Sequence, residues 1–460
     1  MPDNITHYDV IVIGGGSGTH IVDHAREAEL RVALVDTGPL GGTCANVGCV
    51  PSKLIIASAD RVVEIQEAGR LGVRAHVDDV DFGWIMDEMR HFRAHELEEQ
   101  RHHMAMADDL DWYETEGHFV DERTLEVDGR LISGDKIFIA AGARTQVPNV
   151  QGLSEIPYLD NVSVFELRER PESLVAIGGG YIACEFAHFF AAMGTEVTIL
   201  QRNRYLVPDE EPEISERLHE SLSQRVTVHL ETEATKVERV GEGFRITAQR
   251  RADGAPVKID AEKILVAAGR RANTDLLHAD KAGIEMDKRG FVRVNDYLET
   301  NVPNVWAIGD VTGRYMFKHV ANREARFAWY NSQSEEKVAV DYGRIPHAVF
   351  SYPQIAGVGL TEKQARQNHR VLVGRASYTD VVKGRALRAE EGFAKAIVDA
   401  ESRTILGFHL IGPYAPILIQ EVIDVMATDG RASALSFGMH IHPALPEVVA
   451  AAMEQLEPVD

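Results

Sequence analysis

At 460 residues the chain exceeds one ordinary domain and implies roughly two to four, each burying a sizeable core. Hydrophobic residues at 45% and charged residues at 26% fit a soluble globular protein, and there is no uninterrupted apolar run long enough to span a membrane. A net charge of -23, from 48 basic and 71 acidic side chains, excludes nucleic acid and anionic membranes as partners, because both need a basic footprint. Any phosphate site must be local, built from loop amides, helix N-termini and a few placed arginines. The opening MPDNITHYDVIVIGGG has no basic stretch and runs straight into a strand, which reads against a signal peptide and for a cytoplasmic protein. Three cysteines, Cys44, Cys49 and Cys184, make no disulfide framework of the secreted kind.

YDVIVIGGGSGTHIVDHAREAELRVALVD predicts a strand, a glycine turn, a helix and a second strand ending at Asp36, the nucleotide-binding βαβ pattern. Gly14 permits the tight turn, Gly16 lets the backbone approach a pyrophosphate, and Asp36, 22 residues after Gly14, is placed to accept hydrogen bonds from a ribose. Thr19 stands where a third glycine would fall, and a plain turn is the competing reading. GGTCANVGCVPSK, residues 41–53, follows directly and so lies close to the first cofactor. With four residues between them, Cys44 and Cys49 can sit one helical turn apart and bond if their side chains converge; a helix start would favour the thiolate. Zinc would want four ligands where two thiols are on offer, so no metal is expected; a pair of inert core cysteines stays open.

Residues 54–108 have helical spacing and 110–137 short strand and turn signals. Small residues close the first unit at IAAGAR, with Ala141 and Gly142 meeting cofactor at a strand end. About 165 residues after the first pattern, SLVAIGGGYIACEFAHFFAAMGTEVTILQRNR repeats it with Gly178 and Gly180, and two nucleotide folds imply two nucleotides. Where an NAD site places its ribose acid stands Gln201, followed by Arg202 and Arg204, a pattern that repels no 2′-phosphate and offers guanidinium forks to it. NADPH is therefore expected over NADH, unless the arginines merely solvate a loop. VAAGRR closes this unit with Gly269 and Arg270, and the strand NVWAIGD ends at Asp310, whose carboxylate can reach a cofactor hydroxyl. Beyond residue 340 the pattern becomes an antiparallel sheet followed by helices. The expected architecture is α/β: two Rossmann-like domains, 1–146 and 147–270, a central stretch 271–338 returning to the first, and an α+β interface domain 339–460.

On GGTCANVGCVPSK, GGGYIACEFA, VWAIGDV at 305–311 and HPALPE at 442–447, the chain resembles the pyridine nucleotide–disulfide oxidoreductases, the family of glutathione, mycothione and mercuric reductases and dihydrolipoamide dehydrogenase. The resemblance covers nearly the whole sequence. It implies FAD, a nicotinamide cofactor and a homodimer in which the partner's C-terminal segment completes each site. It also implies that electrons pass through FAD to a Cys44–Cys49 disulfide, with Cys49 facing the flavin and Cys44 attacking the substrate disulfide. His442, oriented by Glu447 five positions on, is then the acid–base group that protonates the leaving thiolate; His440 lacks the following proline of the motif. Lys53 matches the lysine beside the flavin that pairs with a glutamate, here Glu185, and Tyr181 the residue covering the nicotinamide pocket, against a plain core aromatic. Gly42, Thr43 and His319 join the expected cofactor contacts, while Cys184 reads as a small apolar helix residue.

There is no N-terminal metal domain with paired cysteines and no C-terminal cysteine, which reads against mercuric reductase and the large thioredoxin reductases. KHVANREARF, AVFSYPQIAGVGLTEKQA and IHPALPEVV look most like mycothione reductase, although Thr19, Asp36 and Ala45 are uncommon in the family and Ser52 and Leu54 depart from the mycothione reductase run. Dihydrolipoamide dehydrogenase usually has polar residues at Ala444 and Pro446 and an acid at Gln201. The expectation is an NADPH-dependent reductase of a small disulfide such as mycothione or bis-γ-glutamylcystine. The alternatives are NAD-linked dihydrolipoamide dehydrogenase and a flavin-binding structural partner without turnover.

Overall fold

Val10, Ile11, Val12 and Ile13 are buried in succession, as befits a strand covered on both faces. In the computed structural model, which describes residues 5–105 and 109–459, strand Ile5–Ile13 lies inside a sheet between parallel neighbours Val32–Val35 and Arg130–Ile139. Leu110–Tyr113 extends the sheet on one side and Val305–Ala307 pairs with Arg130–Ile139 on the other, both parallel, while a hairpin, Gly117–Asp121 and Thr124–Val127, runs antiparallel. Strand order reverses beside Ile5–Ile13, and such a reversal opens a ligand crevice at the carboxyl ends of the strands. Helix Thr19–Glu27 covers the sheet through Ile21, Val22 and Ala25, one apolar stripe at helical spacing.

This first unit draws its described residues from Met1–Ser52, Met86–Gln146 and Gly269–Asp341. The second draws from Lys53–Ile85, Val147–Ala268 and Tyr342–Asp460. It repeats the parallel pattern in Ser173–Ile177, Glu196–Leu200, Thr227–His229 and Lys263–Val266, beside an antiparallel sheet of Thr232–Val240, Gly243–Arg250 and Pro256–Ala261. Its C-terminal part is a six-stranded sheet, antiparallel throughout, followed by helices Ala415–Met426, Ser433–Ser436 and Glu447–Glu454.

Three differences from the sequence reading have physical causes. Residues 53–85 belong to the second unit, because Phe82 packs on Phe189 and Phe190, Asp60 bonds His188, and Lys53 pairs with Glu185 there. The strand expected to end at Asp310 stops at Ala307, and a 3₁₀ turn, Gly309–Thr312, carries the carboxylate. Gly269 and Arg270 do not close the second unit; they open the return to the first, where Arg270–Ala272 pairs antiparallel with Ala143–Thr145. Of the stretch read as helical over 54–108, residues 106–108 lie outside the described residues.

Candidate active site

The first glycine loop is shaped by close backbone approach. Gly14 has φ +110°, and a Cβ there would lie 2.2 Å from the Ala140 carbonyl oxygen, so no side chain fits. Gly18, which the sequence reading passed over, packs the loop on its own helix: its Cβ would lie 2.3 Å from the Gly14 oxygen. Thr19 replaces the third glycine without cost to the turn, since its hydroxyl donates to the Gly16 carbonyl at 3.0 Å. Gly16 is left with room, nothing but Gly42 Cα lying within 4 Å of its would-be Cβ, and a helix N-terminus follows, so the loop fits a dinucleotide pyrophosphate. Asp36 accepts from the amides of Gly15 and Gly38; burial raises its carboxyl above the ordinary value and these two amides oppose the rise. Ala141 and Gly142 form the turn after Ile139, fastened by Asn273, whose Nδ2 donates to the Ala141 carbonyl at 2.8 Å.

The cysteine segment is stitched to this loop. The Gly41 amide donates to the Gly15 carbonyl at 2.8 Å, and a Cβ on Gly42 would lie 2.8 Å from Gly16 Cα. The two cysteines, whose spacing allows one helical turn between them, do not share one continuous helix. Cys44 lies in helix Gly42–Val47, Gly48 breaks the path at φ -151° and ψ -114°, and Cys49 opens helix Cys49–Glu67. Glycine is required at 48 because the chain folds back so tightly that a Cβ would meet the Thr43 carbonyl oxygen at 2.8 Å. Both cysteines therefore sit near helix starts, where the positive end of the backbone dipole favours a thiolate. Thr43 and Cys49 are exposed and Cys44 is half-buried. Cys184, by contrast, is wholly buried, and the loss of solvent pushes its thiol far above the ordinary range. Buried Asn46 holds the segment through bonds to the carbonyls of Leu40, at 2.6 Å, and Gly42, at 3.0 Å.

Around the same unit, the Arg270 guanidinium lies 3.7 Å from Asp310 and also donates to the Ala143 carbonyl. Burial raises the Asp310 carboxyl, with Arg270 and Lys318 pulling it back. His319, exposed, stacks on Phe317 at the start of helix Lys318–Gln333.

The second glycine loop repeats the close approach of the first at its first glycine, though its helix begins two residues sooner. Gly178 has φ +116° and its Cβ would meet the Ala267 oxygen at 2.2 Å; Gly180 has open space and caps helix Tyr181–Ala192. Gln201 occupies the position of Asp36, its Cβ lying 2.9 Å from where a Gly179 Cβ would be, and its amide donates to the Tyr205 carbonyl at 2.9 Å. Arg202 and Arg204 are exposed on this turn and Tyr181 is exposed at its helix start. In the same unit the Lys53 ammonium lies 2.7 Å from Glu185, which also accepts the Phe350 amide at 2.9 Å, and the Phe350 ring lies under the ammonium at 4.7 Å. Phe350, which the sequence reading did not single out, thus meets this pair through both its amide and its ring.

His442 Nδ1 lies 2.7 Å from Glu447, whose other oxygen accepts the Ala444 amide at 2.9 Å; these two bonds hold the Glu447 carboxyl below its ordinary value. His440 has a carboxylate of its own, Glu421 at 3.1 Å, but burial raises that one. The His440 side chain is 13% exposed and that of His442 68%, so His442 is the more open of the two imidazoles.

The pyridine nucleotide-disulphide oxidoreductase family matches residues 8–325, and the family's dimerisation domain matches 345–453. Mycothione reductase of Mycobacterium tuberculosis is 35% identical over 96% of this chain and 98% of its own. Dihydrolipoyl dehydrogenase of Chlamydia muridarum is 30% identical over 96% and 95%. Among solved structures, the HOCl-induced flavoprotein disulfide reductase RclA of Escherichia coli superposes with a TM-score of 0.86 at 28% identity, covering 97% of this chain and 99% of that one. The chain belongs to the pyridine nucleotide-disulphide oxidoreductases, enzymes that depend on FAD.

Proposed function

We propose that this enzyme is an NADPH-dependent reductase of a low-molecular-weight disulfide, of the mycothione or bis-γ-glutamylcystine kind, working as a cytoplasmic homodimer. The observation that carries the reading is the pair Cys44 and Cys49, each near a helix start, fastened to the first glycine loop by the Gly41–Gly15 bond and the Gly42–Gly16 contact. FAD, when bound, converts the hydride of a nicotinamide into two electrons for a disulfide. The Cys44 thiolate attacks one sulfur of the substrate, forming a mixed disulfide and releasing one thiolate, which takes a proton from His442. Cys49 then gives up its proton and attacks Cys44, closing the internal disulfide, and the departing sulfur takes that proton to leave as the second thiol. The bond to Glu447 orients the imidazole. Phe437, Met439 and Ile441 stand exposed just before His442, an apolar run that favours burial of this segment against a second copy. Gln201, Arg202 and Arg204 favour NADPH over the NAD chemistry of dihydrolipoyl dehydrogenase relatives.

Steady-state turnover of the purified flavoprotein with NADPH and with NADH, against mycothione, bis-γ-glutamylcystine, glutathione disulfide and lipoamide, tests this. Rapid NADPH oxidation by one small disulfide is expected. Turnover confined to NADH and lipoamide would overturn it.

A further inference from the structure

Helix Lys318–Gln333 opens with a lysine at the end where a backbone dipole disfavours a cation. No side chain caps that end: Phe317, extended at φ -120° and ψ 136°, is the capping residue. Burial adds to the penalty and presses the Lys318 ammonium below the ordinary lysine range. A charge kept at such a place needs anions.

The fold supplies them from two sides. Ser17, next to Gly16, donates to Asn322 Oδ1 at 2.8 Å, which fastens the first turn of this helix to the glycine loop. The cysteine segment is fastened to the same loop by the Gly41–Gly15 bond and the Gly42–Gly16 contact. Lys318 is thereby brought within electrostatic reach of Cys44, Cys49 and Asp310. Asp310 already faces Arg270 at 3.7 Å, so two cations share one carboxylate. His20, on the neighbouring helix, feels Lys318, Asp23 and Arg326, and burial keeps it toward the neutral form.

We propose that Lys318 is the fixed cation that stabilises the thiolate of the reduced Cys44–Cys49 pair, a positioning residue of the thiol chemistry. Two electrons delivered from the nicotinamide break the S–S bond. One sulfur takes a proton and the other remains a thiolate opposite the Lys318 ammonium. In the oxidised pair neither sulfur is charged, and of these three groups Asp310 alone still offers the lysine a charge. This inference rests on the reading of Cys44 and Cys49 as the redox pair, and its test separates the two.

The holoenzyme and its Lys318→Met, Lys318→Arg and Lys318→Gln variants are reduced anaerobically and pulsed with iodoacetamide between about pH 5 and pH 9, and alkylation of each cysteine is followed by mass. The Lys318→Met substitution is expected to raise the midpoint of the fast-reacting thiol by about one pH unit, roughly a tenfold loss of thiolate at low pH. Lys318→Arg should restore the midpoint to near wild type. An unmoved midpoint in Lys318→Met overturns the role of Lys318; if that variant loses its flavin or its fold, an unmoved midpoint in Lys318→Gln overturns it equally. If the reduced wild-type protein shows no fast-reacting thiol at either position, the redox-pair reading fails instead.

Discussion

Replacing Arg202 and Arg204 together by glutamine should convert a cofactor preference into near indifference. Both guanidinium groups are exposed, and the turn that carries them is pinned: Gln201 donates to the Tyr205 carbonyl at 2.9 Å, and the Val207 amide to Gly179 of the glycine loop at 2.7 Å. Arg204 also lies over the Tyr205 ring at 5.2 Å, which limits its freedom before any ligand arrives. A charge-assisted bond contributes about 1.5–3 kcal/mol, and solvent exposure cuts this to about 1–1.5 kcal/mol for each arginine. The double variant should therefore lose about 2–3 kcal/mol toward the 2′-phosphate, roughly a 30- to 150-fold drop in kcat/KM for NADPH. NADH, which carries no such phosphate, should change by less than about twofold. The assay is flavin reduction by each nucleotide under single-turnover conditions at low and high salt, because exposed charges are screened by salt. Equal losses for both nucleotides would refute the phosphate site.

Two further outcomes concern paired side chains. His442→Ala should slow the disulfide half-reaction by roughly a hundred- to ten-thousand-fold while leaving flavin reduction by NADPH intact, and Glu447→Gln should slow the same half-reaction less; stopped-flow measurement of the two halves separates them. Loss of both halves together would contradict the assignment. Glu213 is pulled down to about 2, chiefly by its bonds to Arg375 at 2.7 and 2.8 Å, with buried Lys395 adding to the effect. Its folded value lies below its unfolded one, so its contribution to stability is full above about pH 4.5 and is lost as pH falls toward 2. Arg375→Met should move the acid-unfolding midpoint, followed by flavin fluorescence, to higher pH; an unmoved or lower midpoint would count against this account.

What the sequence made legible was local. The strand, turn and helix of each glycine loop follow from short-range spacing, and His442 reaches Glu447 five residues away, so that pair could be read from its motif. The Lys53–Glu185 pair spans 132 residues and was legible only through resemblance, because nothing in either neighbourhood records the other. Gly48 reads as an ordinary residue between two cysteines until the backbone shows that the chain folds onto the Thr43 carbonyl there. Lys318 gave no signal beyond its place in KHVANREARF, since its meaning comes from a loop some 300 residues earlier to which Ser17 and Asn322 tie it. The same holds for residues 53–85, whose partners Phe189, His188 and Glu185 lie on a helix of the second repeat.

The two loops share one backbone frame and differ at a single facing residue. In each, the first glycine lies against an alanine carbonyl at the end of the neighbouring parallel strand, Ala140 in one and Ala267 in the other, with the same 2.2 Å limit on any added Cβ. Such a contact fixes the turn but says nothing about which nucleotide enters. The distinction falls on the residue facing the second glycine of the loop, Gly15 or Gly179. Asp36 there is a half-buried acceptor held by two amides, whereas Gln201 is a neutral side chain that donates to the turn bearing Arg202 and Arg204. After the first loop the chain inserts the cysteine segment, stitched at Gly41 and Gly42; after the second it inserts an arginine turn pinned at Val207. The repeated part is thus the glycine frame itself, and the two units differ in what the chain places after it: the segment bearing Cys44 and Cys49 in one, the turn bearing Arg202 and Arg204 in the other.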